Sequence, residues 1–222
     1  MKMETYHKDV FTRISEEKQR RILDAGISEF AAKGFPGANI NVIARKAGIS
    51  IGSMYKYFGS KEDLFLTIIE QAHGLLAGAL EEIDRSSGDI FEKIEKMVRA
   101  AQNYARQYPE LHQIYLDMTS EGLSHLSRKL SGKMETVSMA FYERMIREAM
   151  AQGIIDNRQK PRWIALFIDN LILMLQYSYT SDYFKERMKI FLGPVALDDD
   201  EKMVDRLMQF IRGALEGAQP VA

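Results

Sequence analysis

Residues able to do covalent or metal chemistry are sparse in this 222-residue chain, and their spacing does not suit such work. There is no cysteine, which removes thiol catalysis, disulfides, Cys-ligated zinc and iron–sulfur clusters. The four histidines, His7, His73, His112 and His125, are scattered. Asp117, Glu121 and His125 share an i, i+4 face, but Gly122 and Ser124 interrupt that helix, and a solvated face outweighs a metal site. Gly48-Ile49-Ser50-Ile51-Gly52 spells the nucleophile elbow of hydrolases. That motif needs a strand before the serine and a sheet beneath it, whereas the residues preceding Ser50 follow a helical period. No phosphate-loop or dinucleotide glycine pattern is present. What the spacing favours is ionic recognition. Between Glu29 and Glu62 stand five basic residues, Lys33, Arg45, Lys46, Lys56 and Lys61, and no acid. A compact basic face in a protein of net charge −1 suits a small anionic footprint.

The elements that must carry these residues are helical. Apolar residues make up 46% and charged residues 27%, a globular balance that excludes wholesale disorder. Helical periodicity dominates from Ser15 to Leu215, without a useful strand alternation. Ser15 is placed as an N-cap before the stripe Ile22, Leu23, Gly26, Ile27 and Phe30, and Gly34 ends that helix. Two short helices follow near 40–47 and 50–57. Long ones are expected at 60–85, 90–108, 124–152, 161–179 and 201–216, with a shorter one at 111–118. About nine helices result, an all-α fold. The longest apolar run, 164–175, is too short to span a bilayer and holds Asp169 and Asn170. The N-terminus lacks a signal-peptide pattern. A cytoplasmic protein is expected.

Residues 39–58, NINVIARKAGISIGSMYKYF, hold the pattern that decides the function. Ile43, Ala44 and Ala47 make one small, apolar side. Gly48 stands where the chain must turn sharply with positive φ. Ser50 caps the second helix, whose Met54 and Phe58 face inward four residues apart. Small alanine, turn glycine and apolar anchor are what two helices crossing through a short turn require, a helix-turn-helix. The second helix then presents Ser50, Ile51, Gly52, Ser53, Tyr55, Lys56 and Tyr57 at or near its free surface. Gly52 is a poor helix former there, which makes sense if another surface comes close. Lys61 lies in the first turn of the helix capped by Ser60, where the dipole disfavours a cation and a phosphate would reverse that penalty.

Residues 43–64, IARKAGISIGSMYKYFGSKEDL, resemble the signature of the TetR family of bacterial transcriptional regulators. The preceding helix fits as well, with departures at Val42 and at Asn39, which caps as readily as the usual Thr or Ser. The resemblance implies a DNA-binding domain, 1–60, with a flexible arm at 1–14, and a ligand-binding and dimerisation domain, 61–222. It implies that Ser50 to Tyr57 enter the major groove. Asn39 and Asn41 would lie near the backbone or a base edge, and Tyr55, Tyr57 and Lys61 near phosphates. It further implies a homodimer on double-stranded operator DNA, responsive to a small effector, most simply a repressor. No cofactor and no catalytic or metal residue is implied.

Two features of the remainder bear on that reading. Tyr104, Tyr115, Met118, Phe141, Met145, Phe167, Asn170 and Met174 fall among aromatic and Met residues at helical spacing. They are either plain core or the lining of an apolar cavity for a largely hydrophobic effector. Helix 161–179 is apolar round nearly its whole circumference and so needs cover on every side. With the stripe Val204, Leu207, Met208, Ile211 and Leu215 it makes a natural four-helix dimer seam. Asp169 and Asn170 serve either that seam or the cavity. A ligand-independent DNA-binding dimer and an enzyme reusing the cavity are the rival readings.

Overall fold

A computed structural model describes residues 5–118, 124–156, 158–195 and 197–216 of the chain, with side chains in 124–134 only at Leu126 and Gly132. Among them are eleven helices and no strand: α1 (Asp9–Thr12), α2 (Glu16–Gly37), α3 (Ile40–Lys46), α4 (Ile51–Tyr57), α5 (Lys61–Arg85), α6 (Ile90–Gln107), α7 (Pro109–Met118), α8 (Ser124–Ala151), α9 (Pro161–Thr180), α10 (Asp182–Leu192) and α11 (Asp200–Leu215). The two beyond the expected nine are α1 and α10. No helix among the described residues is long and apolar enough to cross a membrane. The helices gather into two compact units, Met1–Leu75 with Gln113–Ser124, and Leu76–His112 with His125–Ala222. The first unit thus takes in the beginning of α5 and the end of α7, beyond the boundary drawn at residue 60.

In the first unit, the expected caps form. Ser15, Asn39 and Ser50 accept from the backbone N–H groups of Lys18, Asn41 and Ser53. Gly34, at φ 64°, breaks α2, and one further turn follows through Pro36 to Gly37. Phe30, Phe35 and Phe65 form a ring cluster with centroids 5.0–6.0 Å apart, and Leu64 to Ile69 of α5 are buried throughout. A Cβ on Gly26 would stand 2.8 Å from Ile68 Cδ1, so a larger residue there would require the Ile68 side chain to shift. The arm expected at 1–14 packs on the helix-turn-helix from residue 8 onward. Phe11 is buried against Phe58 and Tyr57. The Lys8 N–H donates to Tyr57 O, and its ammonium to Tyr55 O, both at 2.8 Å.

In the second unit, α6 opens on a capping box between Asp89 and Glu92. It lays Ile90, Phe91, Ile94, Met97, Val98 and Ala101 into one core with Phe141, Tyr142, Met145 and Ile146 of α8. Ile164, Ile168 and Ile172 of α9 and Val204, Met208, Ile211 and Leu215 of α11 complete it. Ion pairs rim this core: Arg99 with Glu201 at 2.6 Å and Arg106 with Asp200 at 2.7 Å join α6 to α11. Tyr179 of α9 donates to Asp200 and accepts from Gln102.

Candidate nucleic-acid interface

The core of the first unit decides which side of α4 is left for a partner. Met54 and Phe58 are fully buried, as their spacing predicts. Gly48 turns the chain between α3 and α4 at φ 68°, where glycine avoids a steric cost. Ile51, Gly52, Tyr55 and Lys56 are exposed, and Ser53 is half-buried with its hydroxyl 2.9 Å from that of Ser50. Asn39 and Asn41 are exposed at the start of α3. A Cβ on Gly52 would meet only Ser50 Oγ, at 3.9 Å. Nothing among the described residues requires glycine there.

Three expectations change. Tyr57 does not present its ring: it is 6% exposed and packs on Phe11, with the Lys18 ammonium 5.6 Å from its centroid. Sequence reasoning missed this because the partner ring belongs to the arm. Lys61 does not offer its charge outward. Its ammonium donates to Phe35 O, Pro36 O and Ala38 O at 2.7, 3.2 and 3.0 Å and lies over the Phe35 ring. Three donors meet three carbonyls at the end of α2, where the helix dipole welcomes a cation. Lys46 also turns inward in part, bonding the buried Glu29 at 3.0 Å. Glu29 accepts from the Asn39 N–H as well, and the Lys46 hydrogen bond holds its carboxyl below the ordinary range. Lys33, Arg45, Lys46 and Lys56 of the basic stretch are exposed, Lys46 with its charge paired to Glu29.

The residues expected at an effector also divide. Phe141 and Met145 are buried, and Tyr104 is half-buried, stacked on Tyr108 at 5.7 Å. Tyr115 and Met118 belong to the first unit. Phe167, Asn170 and Met174 face outward, in line with Trp163 and Leu166 along one stripe of α9. Asp169 turns the other way and accepts from the buried Tyr142 hydroxyl. The two adjacent polar residues therefore part company: Asn170 lies on the exposed stripe and Asp169 inside. On α11 the expected seam residues Val204, Met208, Ile211 and Leu215 are spent on the protomer's own core, and Phe210, 64% exposed, is the outward one. The expected Asp117–Glu121–His125 face lies partly outside the described residues.

An all-α protein whose N-terminal helix-turn-helix keeps one side of its second helix bare belongs among DNA-binding proteins. The family model of bacterial regulatory proteins, tetR family, matches residues 22–68. The transcriptional regulator YvdT of Bacillus subtilis is 30% identical over 159 residues, 70% of this chain and 78% of that one. YdgC of the same organism is 34% identical over 85 residues, 38% of this chain and 44% of its own length, so the match spans less than half of that relative. Among solved structures, the transcriptional regulator FadR from Bacillus subtilis, in complex with stearoyl-CoA, aligns at TM-score 0.69 and 16% identity, over 87% of this chain and 97% of that one. The chain belongs to the TetR family of bacterial regulatory proteins.

Proposed function

We propose that this protein is a homodimeric transcriptional repressor that grips a near-palindromic operator through α4 and releases it when a small effector enters the second unit. The observation that carries the reading is the division of α4: Met54, Tyr57 and Phe58 are spent on the core, and Ile51, Gly52, Tyr55 and Lys56 are left bare. A side-chain-free spot at Gly52 beside a cation and a phenol suits a helix lying in the major groove. Asn39 and Asn41 would then reach backbone or base edges, and Ser50 and Ser53 would hold the start of the helix. One helix-turn-helix makes too few contacts for tight specific binding, which supports a dimer. The outward apolar stripe of α9 with Phe210 supplies a face for it. The effector is met by Tyr104, Phe141 and Met145, a largely apolar lining. Among the described residues no cluster of His, Asp or Glu able to hold a metal ion supports an enzyme reading.

Selection of bound duplexes from a random library tests the proposal. An inverted repeat should emerge with half-sites about one helical turn apart. Lys56→Ala combined with Tyr55→Ala should abolish the enrichment while the melting curve stays in place. Recovery of unenriched sequence would refute it.

A further inference from the structure

Resting on the operator reading above, we propose that Lys8 is a positioning residue for DNA recognition. It fixes the C-terminal turn of α4, and with it the exposed Tyr55 and Lys56, without touching the duplex. α4 has only seven residues, fewer than a helix needs to persist on its own, and its last four carbonyls have no partner inside it. The Phe58 N–H takes Met54 O at 2.9 Å. Lys8 takes two of the other three: its N–H donates to Tyr57 O and its ammonium to Tyr55 O, each at 2.8 Å. The helix dipole favours a cation at that end as well.

The ammonium arrives from a fixed base. Lys8 is the N-cap of α1, and three residues on, Phe11 is 1% exposed, its ring centroid 4.8 Å from that of Phe58 and 5.9 Å from that of Tyr57. His7 packs on the Phe11 ring at 5.2 Å. The Phe11 N–H returns to Lys8 O at 2.8 Å, so anchor and clamp belong to one closed turn. On α4 itself, the Ser50 cap holds the start of the helix, and Met54 and Phe58 hold its inner face. These contacts fix where the helix lies, and the Lys8 bonds keep its last turn from unwinding. Tyr55 and Lys56 belong to that turn, and side chains that read a partner must be held to within about 0.5 Å. An ammonium turned onto a carbonyl of α4 favours this role over a phosphate contact.

Lys8→Met keeps the stem and removes the ammonium, and Lys8→Arg restores a donor; the residue is exposed, so neither substitution disturbs the core. Affinity is measured over a range of salt for a duplex selected by the wild type and for an unrelated duplex, at a temperature where circular dichroism shows all three proteins folded. Lys8→Met should lose roughly tenfold on the selected duplex, the scale of one misread base pair. It should lose nothing on the unrelated duplex, and its salt slope should stay that of the wild type. Lys8→Arg should recover most of the loss. Without DNA, the backbone amides of residues 54–58 should exchange faster in Lys8→Met. Equal losses on both duplexes, with a slope smaller by about one unit per subunit, would make Lys8 a phosphate contact and overturn the inference. Unchanged amide exchange would overturn it too. A wild type that selects no duplex sinks the operator reading and the positioning role together. A wild type that discriminates, beside a Lys8→Met variant that discriminates equally well, sinks the positioning role alone.

Discussion

Single side chains here do work that their types only half declare. Lys61 is a cation at a helix N-terminus, and its fate was settled by three carbonyls at the far end of another helix. Lys61→Ala should therefore lower the melting temperature, with a stability loss of about 1–3 kcal/mol for charge-assisted bonds. It should leave unchanged the slope of log affinity against log salt for duplex DNA. A slope reduced by about one unit per subunit would restore a phosphate contact. Asp169 makes a second case. Its folded pKa of about 6 lies above the ordinary 3.8, so the native state holds that proton more tightly than the unfolded chain does. The associated stability is present below pH about 4 and is lost as pH rises through 6. Glu135 and Tyr142 of α8 face it throughout. Asp169→Asn escapes the loss, so its melting temperature should exceed that of wild type at pH 7.5, with the gap closing towards pH 4. A constant gap would refute the assignment.

Elements differ in how they divide their surfaces between self and partner. On α4 the glycine is idle as far as the fold is concerned, since a Cβ would touch only Ser50 Oγ. Gly52→Ala should hold or raise stability, by up to about 1 kcal/mol of helix propensity, while reducing affinity for the selected duplex. Unchanged affinity would show that no surface approaches there. On α9 and α11 the division separates neighbours. Ile211, 2% exposed, belongs to the protomer core, and Phe210 next to it faces out. Phe210→Asp or Leu166→Glu should yield a folded monomer by sedimentation, because each places a charge in an apolar seam. Ile211→Asp should instead collapse the helical signal. A stable wild-type monomer at micromolar concentration would dismiss the seam altogether.

At the scale of the whole molecule, the repressor reading requires two ligands to compete through conformation rather than through shared contacts. α5 is one unbroken helix whose beginning lies in the first unit and whose end lies in the second, a continuous element on which both can act. Linkage then makes the effect reciprocal: operator duplex must weaken effector binding by the factor by which effector weakens duplex binding, roughly 5–150-fold. Calorimetry with and without duplex measures both. Equal effector affinity in the two titrations would leave a ligand-independent DNA-binding dimer.

The sequence by itself determined what depends on neighbours along the chain. Helix periods, the caps at Ser15, Asn39 and Ser50, the positive φ of Gly34 and Gly48, and the inward pair Met54 and Phe58 all follow from residues a few positions apart. So does the family, whose signature is one uninterrupted stretch. Tertiary structure alone decided what depends on a partner distant in sequence. Tyr57 was taken into the core by Phe11, Lys61 was drawn to the end of α2, and the last helix's stripe was claimed by α6. A helical stripe says that an apolar face must be covered and is silent on whether its own chain or a second copy covers it. Asp169 and Asn170 show the limit most sharply: about 100° of helical rotation sends one to the interior and the other outside, and only the packing of α8 on α9 fixes where that rotation begins.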